Sequence, residues 1–316
     1  SYGGPAFYMQ DALKQRWLGV IFSVIIILTY AVGYNMLASY NLQSTFEVFD
    51  FYGPKTPALI GIILAVLFGI IVIGGAKRLT KVTGFLVPIM GIIYVLMSFV
   101  ILGINVTNVP SMFGSIFSNA FDFHAIFGGF AGSCIMYGIK RGLYSNEAGM
   151  GSTPHAHATA EVKDPCDQGI IAMMGVFIDT FIILTLTALV ILSTGVLGNG
   201  QTGSELAQSA FNVGFGNFGN IFIALCMLFF AFTTIVGWYY FGEVNVRHLF
   251  GNGAVKVYAV IVVICVIIGS TLKVDLVWDM ADMFNGLMVL PNLIALLGCL
   301  VIVRKLTKKS EKSKEK

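Results

Sequence analysis

Apolar residues fill this chain in long runs divided by short polar joints, and the runs have the length of membrane-crossing helices. A spanning helix needs about 20 predominantly apolar residues. Eight stretches meet that standard: Trp17–Tyr40, Pro57–Gly75, Val82–Ile104, Ile126–Tyr144, Ile170–Leu197, Phe218–Phe241, Val255–Thr271 and Leu276–Val303. Two shorter stretches, Ser111–Phe123 and Ser204–Asn217, mix Phe with Asn and Gly and read as interfacial helices or lids. Two of the spans carry breakers. Gly128, Gly129 and Gly132 surround Phe130 in the fourth, and Asn285-Gly286 with Pro291 interrupts the eighth. The pattern predicts an all-α polytopic membrane protein with about eight transmembrane helices.

The basic residues orient it. With the joints assigned to alternate sides, seventeen of the nineteen Lys and Arg fall on one side, Lys140 and Arg141 among them, and only Lys55 and Lys273 on the other. The positive-inside rule makes the basic side cytoplasmic, which places both ends of the chain there. The last stretch, Arg304 to Lys316, is low-complexity and charged and reads as a disordered, solvated tail or one that touches anionic headgroups. The chain starts at Ser1, and Tyr2-Gly3-Gly4-Pro5 reads as a turn between elements, so sequence upstream of it is expected.

Composition excludes a soluble domain. Hydrophobic residues make up 57% and charged residues 11%, with mean hydropathy +0.85, where soluble chains carry about a quarter charged residues. Five cysteines stand singly with no CxxC or Cys/His cluster, so they read as small apolar packing residues. No HExxH, GxSxG, Walker loop or dinucleotide fingerprint occurs, and the four histidines have no metal or triad pattern. Ser133 beside a glycine is better explained by packing at a helix break than as a hydrolase nucleophile. No enzyme chemistry, cofactor or nucleic-acid partner is expected.

The glycine cluster asks for another role. Irregular backbone at membrane depth persists only when buried in protein or lining a polar cavity. Its freed N–H and C=O groups suit the carboxylate and ammonium of an amino acid, with Phe130 as an apolar wall; the same glycines also suit a packing seam between helices. In the sixth span, the adjacent hydroxyls of Thr233 and Thr234 can lend oxygens to Na⁺ or bond back to their own helix carbonyls. Asp179 lies well inside the fifth span as a protonatable or structural carboxylate. Asp279 and Asp282 sit near the outer end of the last span and are expected to face water. Glu243 and Arg247 have the spacing of a helical ion pair.

From Lys140 through Ser152, KRGLYSNEAGMGS, the chain closely resembles the alanine or glycine:cation symporters. So do Gly175–Thr180, the stretch from Phe230 to Trp238, and Val277-Trp278-Asp279 through Asn285-Gly286-Leu287. The resemblance is strongest beyond residue 120. It implies a leucine-transporter-type fold of five-plus-five inverted repeats, with residues 1–105 as the remainder of a first repeat (three spans), 106–303 as the second, and 304–316 as a basic tail. It implies a Na⁺-coupled symporter of alanine or glycine working by alternating access in the cell membrane; the alternatives are H⁺ coupling or a binding protein that does not transport. It implies substrate contacts at Gly128, Gly129, Phe130, Gly132, Ser133, Tyr34 and Asn35, with Gly128–Ser133 unwound, and sodium at Thr233 and Thr234. It also implies a gate built on Asn146, Glu147, Gly149, Gly151 and Asp179, with Glu147 pairing an arginine or capping a helix. Ala38 stands where many members have Gln. Family members carry a further broken helix upstream, so the chain resembles an N-terminally truncated transporter whose transport alone should fail. A channel would need a continuous polar lining and a receptor an output surface, and the sequence offers neither.

Overall fold

The computed structural model describes residues 2–73, 75–120 and 130–314, with backbone alone at 73, 75–83, 120 and 130–134. Among these residues the regular structure is entirely helical. The order is α1 Pro5–Asp11, α2 Arg16–Leu28, a π-turn Thr29–Gly33 leading into α3 Tyr34–Ser44, α4 Thr56–Ile73 and α5 Gly75–Ile104. There follow α6 Val109–Ala120, α7 Phe130–Asn146, α8 Pro154–His157, α9 Pro165–Phe177, a second π-turn Ile178–Ile183 leading into α10 Leu184–Thr194, and α11 Gly203–Phe215. The long α12 Asn217–Phe250, α13 Ala254–Gly269 and α14 Val274–Lys314 complete the chain.

Among the described residues, each of the eight apolar runs falls mainly on helix. Among the described residues, five stretches, against the eight spans expected, are long and apolar enough to cross a bilayer: Arg16–Ser44, Gly84–Ile104, Pro165–Thr194, Asn217–Phe250 and Val274–Lys314. Thr56–Val72 and Ala254–Gly269 are shorter apolar helices. The described parts of both stretches read as interfacial helices or lids are helical, as α6 and α11. Local chemistry sets several ends. Asp164 caps α9 by accepting from the Cys166 amide at 2.9 Å, with Pro165 at the first helical position. Gly195 closes α10 in the left-handed conformation at φ 70°.

The bundle is organised around α12, which packs against α2, α3, α5, α11 and α13. The main core joins Phe22, Tyr30 and Tyr34 to Phe68 of α4, Ile235 and Tyr239 of α12, Val262 of α13 and Met288 of α14. A smaller core joins Tyr94, Ile101, Phe211 and Phe222. Close approach is bought by glycine: a Cβ at Gly269 would lie 2.4 Å from the Cα of Met36, and Ser39 Oγ of the same helix donates to the Val266 carbonyl at 2.7 Å.

Three expectations change. The last span is continuous through Asn285-Gly286 and Pro291. A proline removes one backbone bond, and in lipid the chain keeps all the others. The tail is helical to Lys314 instead of disordered, because Ser310 donates to Asp164 and Lys314 Nζ pairs with Asp167 Oδ1 at 2.5 Å, at the start of α9. Asp279 is exposed, but Asp282 is shielded and paired with Lys140 and Arg141, so these two cations do not hang free in the aqueous joint. A carboxylate at this depth needs a counter-charge.

Candidate functional site

Where α7 ends, α12 and the second π-turn meet around a cavity of about 390 Å³ lined by Tyr144, Ser145, Glu147, Asp179, Thr234, Gly237, Trp238 and Phe241. The four α12 residues recur at helical spacing and form one wall. The neighbouring Thr233 points elsewhere: its hydroxyl donates back to the carbonyls of Phe229 at 2.9 Å and Phe230 at 3.2 Å. The two threonines therefore differ in their surroundings. Thr234 faces the cavity and Thr233 bonds to its own helix.

The π-turn carries Asp179 and Thr180 to the opposite wall. Ser145 Oγ donates to Asp179 Oδ2 at 2.6 Å, and Asn146 Nδ2 donates to Thr180 Oγ1 at 3.0 Å. These paired bonds fasten the last turn of α7 to the π-turn. Glu147 follows with φ 53°, in the left-handed region that a residue with a Cβ enters only at some cost. Its carboxylate accepts from Ser152 Oγ at 2.8 Å and from Trp238 Nε1 at 3.2 Å. Of the two expected roles, pairing with an arginine or capping a helix, no arginine pairs with it among the described residues, and Arg141 turns to Asp282 at 3.0 Å. Burial pushes the Glu147 carboxyl up to about 6, with the two hydrogen bonds pulling it down and Asp179 adding a smaller upward push.

The turn after Glu147 needs its glycines at particular points. Gly151 has φ 86°, and a Cβ there would lie 2.7 Å from Pro5 Cγ and 2.8 Å from Phe22 Cζ. The Gly149 carbonyl accepts from Asn292 Nδ2 of α14 at 2.9 Å, and Asn292 Oδ1 also takes the Tyr8 hydroxyl of α1. Beyond the turn lies a polar cluster that sequence reasoning missed. His155 is fully buried; its Nδ1 meets the Ser152 carbonyl at 2.9 Å and its Nε2 meets Asn245 Nδ2 at 2.8 Å. Asn245 also donates to Phe241 O at 2.8 Å and accepts from Ser23 Oγ at 2.9 Å. A carbonyl only accepts and an amide NH₂ only donates, so the imidazole is neutral with its proton on Nδ1. Burial lowers its pKa to about 4, in keeping with that assignment. Ser23 and Asn245, polar residues in apolar helices, were the available signal, but nothing in the sequence says that they meet.

The expected substrate residues divide. Tyr34 is buried, its ring 5.0 Å from Tyr144 and 4.9 Å from Trp238, so it underlies the cavity. Asn35 is buried: its Nδ2 donates to the Tyr30 carbonyl at 2.5 Å, a carbonyl at the π-turn, while its Oδ1 has no hydrogen-bond partner among the described residues. Gly128 and Gly129 lie outside the described residues, as do the side chains of Phe130 and Ser133. The backbone is helical from Phe130 through Gly132 and Ser133.

The family model described as "Sodium:alanine symporter family" matches residues 1–316. The chain is 40% identical over 295 residues to the amino-acid carrier protein AlsT of Bacillus subtilis, covering 93% of this chain and 63% of that protein. It is 39% identical over 298 residues to the probable sodium/glutamine symporter GlnT of the same organism, covering 93% and 61%. It is 35% identical over 302 residues to the sodium/alanine symporter AgcS of Methanococcus maripaludis, covering 93% and 66%. The chain thus spans roughly three fifths to two thirds of the length of these relatives. Family-wide match and extended identity agree with the membrane helices and the oxygen-lined cavity: the chain belongs to the sodium:alanine symporter family.

Proposed function

We propose that the protein carries small neutral amino acids, alanine or glycine, across the cell membrane together with Na⁺ by alternating access. In this reading the fold is of the leucine-transporter type, with residues 1–105 in one inverted repeat, 106–303 in the other and 304–316 as a basic tail. Family membership supports it, and the names of AlsT and AgcS point the same way. The observation that carries it is the grouping of Thr234 with Glu147, Asp179 and Ser145 around one cavity. Hydroxyl and carboxylate oxygens suit a hard cation. Sodium held there would tie α12 to the turn after α7 and the π-turn, and Tyr34 sits beneath it. Gly128, Gly129, Phe130, Gly132 and Ser133 are kept in this reading as substrate contacts, the last three at the start of α7.

The test is uptake of labelled alanine into liposomes by the protein expressed from its own gene, under an imposed Na⁺ gradient. Thr234→Ala is expected to abolish the Na⁺ dependence, while Thr233→Ala, whose hydroxyl serves its own helix, leaves it within about twofold. Equal effects of the two substitutions would remove Thr234 from the ion site. A second reading, H⁺ coupling, is favoured by the raised pKa of Glu147, whose carboxylate has Ser152 and Trp238, and no cationic side chain among the described residues, as hydrogen-bond partners. Accumulation driven by a proton gradient alone, and lost in Glu147→Gln, would select it.

A further inference from the structure

Beyond Val303, α14 leaves the apolar part of the chain and continues as helix to Lys314. The extension has two unlike sides. One continues the buried edge of α14, where Asn292, Ala295 and Cys299 are followed at helical spacing by Leu306, Ser310 and Ser313. These last three line a cavity of about 470 Å³ against the start of α9, and beside it Ser310 donates to Asp164 and Lys314 pairs with Asp167. The other side continues an exposed edge. Leu290, Ile294, Leu297 and Val301 recur at steps of three and four and all face outward. At about 100° per residue the same edge runs on through Arg304, Lys305, Lys308 and Lys312, which are exposed as well. The ion pairs among the described residues use Lys140, Arg141, Arg247 and Lys314, so these four cations are unpaired.

One stripe of α14 thus passes from bare hydrocarbon to positive charge. A bilayer leaflet has the same order: a hydrocarbon core, then a phosphate-bearing headgroup layer roughly 5–7 Å deep. We propose that this stripe binds anionic phospholipid headgroups, in the leaflet through which α14 leaves the bilayer. A soluble acidic partner would explain the cations but not their continuity with exposed Leu297 and Val301. The contacts of Ser310 and Lys314 with α9 fix the rotation of the extension and so hold the cations on the lipid side. The helical rise ranks them. Measured along the axis from Val303, Arg304 and Lys305 lie about 1.5 and 3 Å out and Lys308 about 7.5 Å, at the edge of the headgroup layer. Lys312 lies about 13.5 Å out, roughly a Debye length beyond that layer, where salt weakens its pull.

The experiment is photo-crosslinking in nanodiscs of the protein expressed from its own gene. Phosphatidylglycerol and phosphatidylcholine probes, each with the same diazirine beside the phosphate, are compared in an otherwise zwitterionic bilayer, and label on residues 290–314 is quantified by mass spectrometry. Phosphatidylglycerol is expected to label this segment at least about fivefold more, the preference that one cation near an anionic surface confers. Changing Arg304, Lys305 and Lys308 together to Gln should bring the ratio within twofold of unity. The charge-keeping set Arg304→Lys, Lys305→Arg and Lys308→Arg should preserve it, which separates charge from fold. Among single changes, Lys308→Gln should lower the ratio more than Lys312→Gln. Equal labelling by the two probes in the native protein overturns the proposal, and so does a ratio that survives the triple Gln variant. Equal lipid labelling, with an acidic polypeptide crosslinked to the same four cations, overturns it in favour of a soluble partner.

Discussion

At the scale of single residues, the two threonines and His155 show how far a pattern goes. Adjacent hydroxyls in an apolar helix pointed to α12, but they lie about 100° apart around its axis, and only packing decides which one meets a cavity. His155 has a consequence of its own. Its folded pKa, about 4, lies below the unfolded value of 6.5, so the folded state binds fewer protons between those values. Its contribution to stability is complete above pH 6.5 and is lost as pH falls towards 4, amounting to about 2 kcal/mol at pH 5. Glu147 works in the opposite direction. Its pKa is raised from 4.5 to about 6, so its contribution is present below pH 4.5 and is lost as pH rises through 6. A comparison of variants separates the two. His155→Gln is expected to lose less thermal stability than wild type between pH 7 and pH 5 in detergent; parallel losses would show that the imidazole does not titrate within the fold.

At the scale of elements, the turn between α7 and α8 depends on which glycine is replaced. Gly151 combines a left-handed φ with contacts below 3.0 Å, whereas a Cβ at Gly149 would meet only Leu293 Cδ2 at 4.0 Å. Gly151→Ala should therefore cost about 1–3 kcal/mol and lower the melting midpoint by several degrees. Gly149→Ala should stay within about 0.5 kcal/mol. Comparable melting of the two would show that the turn is not held as described. The hydrophobic runs made the helices legible, since about 20 apolar residues admit little else in lipid. The π-turns were not legible: Thr29–Gly33 and Ile178–Ile183 look like ordinary helix until the carbonyl of Tyr30 is seen bonded to Asn35. Breakers misled in the opposite direction. Pro291 and Asn285-Gly286 are strong punctuation in water, but α14 absorbs them where no water competes for its backbone. The tail's helix depends on Asp164 and Asp167, about 150 residues away in sequence, so no local pattern revealed it.

At the scale of the whole molecule, the turn of residues 147–155 is fastened to two different bodies. Trp238 and Asn245 hold it to α12, and Asn292 holds it to α14 while also receiving the Tyr8 hydroxyl of α1. If a transport cycle moves α14 against α12, the seam of α1, the turn and α14 has to loosen, and Asn292 is its shared tie. Cys299, buried and two turns along α14 from Asn292, reports on that seam because it lies close to Tyr8. Replacing Asn292 with Leu would leave the Tyr8 hydroxyl and the Gly149 carbonyl unpaired, at about 1–3 kcal/mol each, which favours states in which water reaches both. With Cys134 and Cys166 changed to Ser, a thiol reagent should label Cys299 several times faster in Asn292→Leu than in its parent. Tyr8→Phe alone should give a smaller increase, and adding it to Asn292→Leu should change little, because the two residues share one bond. Unchanged labelling in Asn292→Leu would show that the seam is held by apolar packing of Pro5, Ala6 and Met9 alone. The polar tie would then have no part in its opening.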